Sequence, residues 1–177
     1  MKVLITNIEY SINQEDIDNY REDENIDDEL TDEEIKEEIQ NSLPFYLLVD
    51  VDPDDYDNDD YDEELCDQIS DITGWCIEHF EKQIAVDFVT SVLNNFMEKD
   101  CEFWMKEFGC DFDDIVNLYG FGWSKNKKGK EEFSYISVDE LTYIKTPIRT
   151  IIDKIFAAGT NVTKMRQLIF WIYEKNN

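Results

Sequence analysis

The chain has 177 residues, a length that accommodates one domain or two small ones. It carries 43 Asp and Glu residues against 16 Lys and Arg residues, so its formal net charge is −27. This charge argues against nucleic acid as a simple direct ligand and against docking on anionic lipid, because both are negatively charged. Hydrophobic residues nevertheless make up 42% of the chain and aromatic residues 14%, which predicts a folded protein and not a disordered acidic tail.

The negative charge is concentrated in the first half of the chain. Residues 1–84 contain 29 acidic and 4 basic residues, whereas residues 85–177 contain 14 acidic and 12 basic residues. The net charges of the two halves are therefore −25 and −2. Such asymmetry indicates two modules. We expect an α+β fold, with a small acidic three-stranded α+β module at 1–84 and a mainly helical module with a β-hairpin at 85–177.

Three strands and two helices are predicted in the acidic module. β-Branched and aromatic residues favour strands at 2–10, 45–51 and 75–81. The first helix begins at a capping box formed by Thr31 and Glu34 and ends near residue 43. The second helix spans 63–73 and ends at a glycine, with an apolar face of Leu65, Ile69 and Ile72. The acidic stretch at 13–30 is typical of a mobile loop or a weak helix, and 52–62 of an acidic loop.

The second module is predicted to be mainly helical. Apolar residues at helical spacing favour helices at 85–97 and 101–108, and terminal signals favour two more at 147–156 and from residue 161 onwards. Asp111 can cap a short helix reaching residue 118, and residues 137–140 form a second capping box. Two aromatic arms around a polar turn predict a β-hairpin near 120–136.

The hairpin carries two features with functional potential. One is the basic cluster in the turn, formed by Lys125, Lys127, Lys128 and Lys130. A solvated hairpin tip is the simpler interpretation, and contact with an acidic partner, such as RNA or the protein's own acidic half, is the alternative. The other is a set of four aromatic residues, of which Trp123 is the candidate contact residue. Strand alternation predicts that some of the four are buried and others exposed, and the alternative is that all four pack in the core.

The best candidate for catalysis is the pair Asp50 and Asp52 at the end of an apolar strand. An Asp-x-Asp pair in this place holds Mg²⁺ or Mn²⁺ in several transferase folds. Here no glycine-rich phosphate loop or nearby basic residue accompanies it, which favours an ordinary acidic loop. EF-hand registers starting at Asp50 or Asp55 lack the required Gly and Glu. The sole histidine, His79, has no nucleophile motif beside it. We therefore expect no catalytic residue, metal site or cofactor.

The four cysteines and the hydropathy pattern favour a cytoplasmic protein. No C-x-x-C pair occurs, and four cysteines in a chain of this size are typical of reduced thiols. No apolar run approaches the roughly 18–20 residues that cross a bilayer, and acidic residues follow the N-terminus too soon for a signal peptide. We expect no association with a membrane.

Concentrated carboxylates suggest mimicry of nucleic acid. Double-stranded DNA presents one negative charge per ~1.7 Å of its axis, and a folded scaffold with rows of carboxylates can occupy the same basic groove. Charge density alone selects the candidate contact residues. They are Glu33, Glu34 and Glu37 on the first predicted helix, and Asp54, Asp55, Asp57, Asp59, Asp60 and Asp62 in the acidic loop.

In its acidity, modest length, two modules and lack of enzyme motifs, the chain resembles the DNA-mimic inhibitors of phages and mobile elements. These include anti-restriction and anti-CRISPR proteins that evade host defence. The resemblance implies a non-enzymatic inhibitor that blocks the DNA or RNA channel of a basic, nucleic-acid-binding enzyme. A Cas nuclease is the favoured target, and a restriction or modification enzyme comes next. The alternatives are an acidic adaptor that binds a basic protein without mimicking DNA, and a metal-dependent enzyme that uses Asp50 and Asp52.

Overall fold

The computed structural model describes residues 1–24, 30–56, 61–111, 119–136 and 141–176. The chain divides into two compact units, unit 1 at Met1–Ile84 and unit 2 at Ala85–Asn177. Each unit combines helices with a three-stranded antiparallel sheet. This confirms the predicted α+β class.

Unit 1 packs its helices against a sheet whose central strand is the first of the chain. Its elements are β1 (Lys2–Tyr10), α1 (Gln14–Glu24), α2 (Asp32–Ser42), β2 (Tyr46–Asp50), α3 (Tyr61–Thr73) and β3 (Ile77–Ile84). β2 and β3 pair with the two edges of β1. The buried core that joins sheet and helices includes Val3, Ile5, Ile17, Ile35, Ile39, Val49, Leu65 and Ile69.

A β-bulge at Asn7 changes which residues of β1 face this core. Val3 and Ile5 are buried before it, and Ile8 and Tyr10 after it, so the inward positions change from odd to even numbers. Asn7 has a positive φ of 50°, and the pairing of β1 with β3 shifts across the same segment. Asparagine tolerates this left-handed conformation better than most residues. The bulge therefore keeps both halves of a nine-residue strand in the core.

The side chain of Gln40 attaches α2 to β1. Its amide nitrogen donates to the carbonyl oxygen of Ile8 at 2.9 Å, and its oxygen accepts from the main-chain N–H of Tyr10 at 3.2 Å. The Tyr10 hydroxyl donates to the carbonyl oxygen of Pro44 at 2.8 Å. Because β2 pairs only with residues 2–6 of β1, Gln40 supplies hydrogen-bond partners beyond the end of β2.

The acidic stretch 13–30 contains a regular helix, α1. The sequence was compatible with either a mobile loop or a weak helix. The N-terminus of α1 is capped reciprocally. The side-chain oxygen of Asn13 accepts from the N–H of Asp16 at 3.2 Å, and the Asp16 carboxylate accepts from the N–H of Asn13 at 2.9 Å. Ile17 then anchors the helix in the core. Tyr20 packs against the same core, and Arg21 binds the Leu30 carbonyl and the Asp32 carboxylate at 2.8 Å. The cap and these contacts together hold the helix.

Two boundaries in unit 1 differ from prediction. α3 begins at Tyr61, because buried Tyr61 extends the stripe of Leu65 and Ile69 by one turn, so Asp62 is helical and not in a loop. Ile72 lies off this i, i+4 stripe and is 58% exposed, contrary to expectation. β3 starts at Ile77 and continues to Ile84, since Ile84 still pairs with Val3 of β1.

Unit 2 contains four helices and three strands in the part of the chain that the structure describes. They are α4 (Ala85–Lys99), α5 (Cys101–Phe108), β4 (Phe121–Lys125), β5 (Glu131–Ile136), β6 (Leu141–Tyr143), α6 (Ile148–Ala158) and α7 (Val162–Asn176). β4 and β5 form the predicted hairpin. The strand β6, which pairs with residues 134–136, was not predicted. The proposed helix at 111–118 and the capping box at 137–140 lie largely or wholly outside the described residues.

Candidate interaction surface

Three of the four basic side chains in unit 1 are bound to carboxylates of the same unit. The Nζ of Lys2 lies 2.8 and 2.9 Å from the two carboxylate oxygens of Asp50. Arg21 lies 2.8 Å from Asp32, and Lys82 lies 2.6 Å from Asp62. The remaining one, Lys36, is exposed and makes no ion pair with a described residue. Little positive charge therefore remains to compensate the other carboxylates.

The outer faces of α2 and α3 form what we call the acidic helix surface. On each helix one set of carboxylates lies opposite the buried stripe, which is Ile35 and Ile39 on α2 and Leu65 and Ile69 on α3. All are exposed, and none forms an ion pair or a hydrogen bond with a described residue. The acidic helix surface consists of Glu33, Glu37, Glu63, Asp67 and Asp71.

Regular spacing distinguishes this surface from a random acidic cluster. Residues four apart in a helix rise about 6 Å along its axis, so each helix presents a row with one charge per ~6 Å. One DNA strand presents a charge per ~3.4 Å of axis. Each row thus has about half the charge density of one DNA strand. Because the opposite side of each helix is buried in the core, the rows are held by the packing of unit 1.

Two of the predicted contact residues on α2 lie on this surface, and one does not. Glu33 and Glu37 face outward. The carboxylate of Glu34 instead turns back to Thr31, accepting from its main-chain N–H at 2.8 Å and its hydroxyl at 2.9 Å. The hydrogen bond from the main-chain N–H, and to a smaller extent that from the hydroxyl, lower the pKa of Glu34. Glu34 therefore caps the helix, as the sequence also indicated.

The predicted residues of the acidic loop are only partly described. Asp54 and Asp55 are exposed in a turn after β2, where the Asp52 side chain accepts from the N–H of Asp54 at 3.1 Å. Asp62 lies in the first turn of α3, and its charge is compensated by Lys82. Asp57, Asp59 and Asp60 lie outside the described residues.

The Asp50 and Asp52 pair has a structural role in the described fold. Hydrogen bonding to Lys2 lowers the pKa of Asp50, and Asp52 holds the following turn. Within the described ranges, no group of three or more His, Cys, Asp or Glu side chains is arranged to hold a metal ion. His79 is exposed on β3.

Trp123 belongs to unit 2, on β4. Its side chain is 51% exposed, and its indole N–H donates to the carboxylate of Glu131 at 3.0 Å. The other three hairpin aromatics, Phe121, Phe133 and Tyr135, are buried. Phe121 pairs with Tyr135 and Trp123 with Phe133, so all four rings lie on one face of the hairpin. Strand alternation therefore does not account for the exposure of Trp123, contrary to expectation.

Sequence reasoning missed the row on α3. Glu63, Asp67 and Asp71 recur at intervals of four residues, opposite Leu65 and Ile69, and this spacing was the available signal. Selection by the density of carboxylates along the sequence favoured the neighbouring loop instead, because that loop has more carboxylates per residue. The helix row is more regular, and every member is described.

Comparison with known proteins gives no match: no protein-family model, no curated protein and no solved structure matches the chain at a significant level. Among the described helices, none is both long enough and apolar enough to cross a membrane.

Proposed function

We propose that unit 1 is an acidic decoy, which occupies the basic channel of a nucleic-acid-processing enzyme and blocks it without catalysis. The observation that carries this proposal is the acidic helix surface, with five exposed carboxylates in two rows, none of which forms an ion pair with a described residue. Lysine and arginine side chains that line a nucleic-acid channel complement such a surface. Complementary charge accelerates encounter and selects the partner.

A Cas nuclease is the favoured target, and a restriction or modification enzyme is the second. Both work on DNA or RNA held in a basic channel, and both meet an inhibitor of this kind in the cytoplasm. The decoy binds the protein partner and not DNA, since DNA is repelled by the net charge of −27. The Lys2 contact with Asp50 favours this function over a metal-dependent enzyme, because the ammonium group occupies the carboxylate that a cation needs.

An acidic adaptor that binds a basic protein elsewhere than at its nucleic-acid channel is the second candidate. The same surface supports it, because charge complementarity does not by itself require a channel. The two functions differ in one respect. A decoy and DNA exclude each other from the target, whereas an adaptor and DNA bind together.

The proposal is tested by titrating the full chain into DNA cleavage reactions with a guide-loaded Cas nuclease, and in parallel with a restriction enzyme. One variant removes four charges from the acidic helix surface, with Glu33→Gln, Glu37→Gln, Asp67→Asn and Asp71→Asn. The matched control removes four exposed helical charges from unit 2, with Glu98→Gln, Glu102→Gln, Glu107→Gln and Glu174→Gln. Both variants change the net charge equally, so only the location differs.

We expect inhibition that reaches a plateau at fixed stoichiometry. If each exposed ion pair contributes about 0.5 kcal/mol, the unit 1 variant loses about 2 kcal/mol, roughly thirtyfold in affinity. The unit 2 control stays near the wild type. Equal losses in the two variants contradict recognition by the acidic helix surface. Progressive loss of target activity that Asp50→Ala with Asp52→Ala abolishes favours the enzyme with Asp50 and Asp52.

A further inference from the structure

On the edge strand β4, the main-chain N–H and carbonyl of Trp123 have no hydrogen-bond partner among the described residues. In an antiparallel ladder, successive residues direct these groups alternately to the two sides of the strand. Phe121 directs its groups away from β5, since its N–H donates to the side-chain oxygen of Asn94 at 2.8 Å and its carbonyl accepts from the Asn94 amide at 3.1 Å. The main-chain groups of Trp123, two residues later, point to the same side of β4 as those of Phe121, away from β5. No described residue bonds to the N–H or carbonyl of Trp123.

The neighbouring residue pairs agree with this assignment. The carbonyl of Gly120 accepts from the N–H of Ile136 at 2.7 Å, so Gly120 faces β5 and Phe121 faces away. On β5, the carbonyl of Phe133, opposite Trp123, accepts from Ile144 at 2.8 Å on the side of β6. The Trp123 and Phe133 pair therefore shares no main-chain hydrogen bond, and the Trp123 groups point to the open edge.

Positive charge lies at the turn end of this open edge. Lys125, Lys127, Lys128 and Lys130 are exposed, and none lies within ion-pair distance of a carboxylate among the described residues. Glu131, which binds the Trp123 indole, and Glu132 are the carboxylates on the facing strand. The hairpin from 121 to 136 thus has a net charge of +2 in a chain of net charge −27.

The turn holds the lysines in a defined arrangement. The side-chain oxygen of Asn126 accepts from the main-chain N–H groups of Lys128 and Lys130 at 2.9 and 3.1 Å. Gly129 has a φ of +76°, which glycine adopts without strain. The hydroxyl of Tyr143 donates to the carbonyl of Lys125 at 2.7 Å. The base of the turn is therefore tied to the sheet.

We propose that the β4 edge binds an extended acidic peptide, which adds a fourth strand to the sheet of unit 2. The peptide main chain pairs with the N–H and carbonyl of Trp123, its carboxylates lie near the lysines, and its apolar side chains pack on the exposed indole. Lysines on an edge strand discourage pairing with another copy of the same edge. An oppositely charged strand is the partner that they favour. This inference concerns unit 2 and does not rest on the decoy function of unit 1.

The test measures fluorescence anisotropy of a labelled octapeptide of alternating Glu and Val with the full chain. The same Glu–Val peptide N-methylated at every residue is the matched control, because it has the same charge and side chains but no main-chain N–H to donate. We expect the unmodified peptide to bind and the N-methylated peptide to bind at least tenfold more weakly. Equal binding of the two peptides overturns strand addition.

Two variants of Trp123 separate the main-chain contact from the indole contact. Trp123→Ala removes the indole and keeps the N–H, whereas Trp123→Pro removes both and leaves the ladder to β5 intact. A lost hydrogen bond of about 1 kcal/mol predicts roughly fivefold weaker binding for the proline variant than for the alanine variant. Equal affinities of two folded variants contradict the proposal.

Charge reversal at the turn provides a test that does not alter the strand. Lys127→Glu with Lys128→Glu should weaken binding of the Glu–Val peptide at least tenfold. Lys106→Glu with Lys175→Glu, which reverses two exposed lysines elsewhere in unit 2, should leave it nearly unchanged. Equal losses overturn the site. Displacement of the peptide by a labelled oligouridylate that binds more tightly also overturns it, in favour of a nucleic-acid contact.

Discussion

Neutralising Asp67 should stabilise unit 1, although most substitutions destabilise a protein. Asp67 is exposed near the middle of α3, and no described residue pairs with it. On the helix surface it has three acidic neighbours at intervals of three or four residues: Glu63, Glu64 and Asp71. Each like-charged pair at this spacing costs about 0.2–0.5 kcal/mol. Aspartate and asparagine have similar helix propensity, so Asp67→Asn should raise the free energy of unfolding by about 1 kcal/mol.

The measurement is hydrogen exchange of the main-chain amides of Val3 and Ile5, which lie in the buried centre of unit 1. At low salt, the free energy of opening should rise by about 1 kcal/mol in Asp67→Asn. In 1 M salt the gain should nearly vanish, because the screening length of about 3 Å is then shorter than the spacing between neighbouring carboxylates.

The matched control is Asp87→Asn on α4, followed at the buried amides of Val89 and Leu93. Asp87 is also an exposed helical carboxylate, but it has no acidic residue three or four positions away. Asp87 lies in the first turn of α4, where the helix dipole favours a negative charge. We therefore expect Asp87→Asn to lower the free energy of opening slightly. A stability gain in Asp87→Asn, or a gain in Asp67→Asn that persists in 1 M salt, refutes self-repulsion on the acidic helix surface.

Three further predictions concern the framework of unit 1. Thr31→Ala should destabilise α2 by about 1 kcal/mol in urea unfolding, and Thr31→Ser should retain most of the cap. Asn7→Val should cost roughly 1–2 kcal/mol in the same assay, because a β-branched residue resists a positive φ, whereas Asn7→Gly should cost much less. In an NMR titration, Lys2→Met should raise the lowered pKa of Asp50 towards its ordinary value. The stabilisation from this pair should be present above the ordinary pKa of aspartate and be lost as the pH falls through the lowered pKa.

Local sequence signals predicted the elements of unit 1 well where they were strong. The first strand and the capping box at Thr31 are determined by neighbouring residues, and the structure confirms them. The strand β6 depends instead on a distant partner. Ile144 donates to the carbonyl of Phe133 at 2.8 Å, a contact that the local pattern of residues 137–144 does not reveal.

The bulge at Asn7 was hidden for a different reason. The apolar residues of β1 follow intervals of two, three and two, from Val3 and Ile5 to Ile8 and Tyr10, and a regular strand does not explain the interval of three. The positive φ of Asn7 explains it, because the bulge at this residue inserts one extra position into the strand. The interval of three was visible in the sequence, but it acquires this meaning only with the pairing of β1 and β3.

The sequence predicted an acidic contact surface, but only two of the five residues of the acidic helix surface. Unequal charge located it in the first half of the chain, and Glu33 and Glu37 lie on it. Glu34 and Asp62 do not contribute freely, since one caps α2 and the other pairs with Lys82. Counting carboxylates cannot separate exposed charges from those that a cap or an ion pair engages.

Mutual exclusion between the protein and DNA tests the decoy function most directly. Labelled protein is titrated with a guide-loaded Cas nuclease at increasing concentrations of unlabelled target DNA, and its apparent dissociation constant is measured at each. If the acidic helix surface occupies the nucleic-acid channel, the apparent constant rises in proportion to the DNA concentration. An apparent constant that stays unchanged while DNA saturates the enzyme contradicts channel occupancy and favours the adaptor.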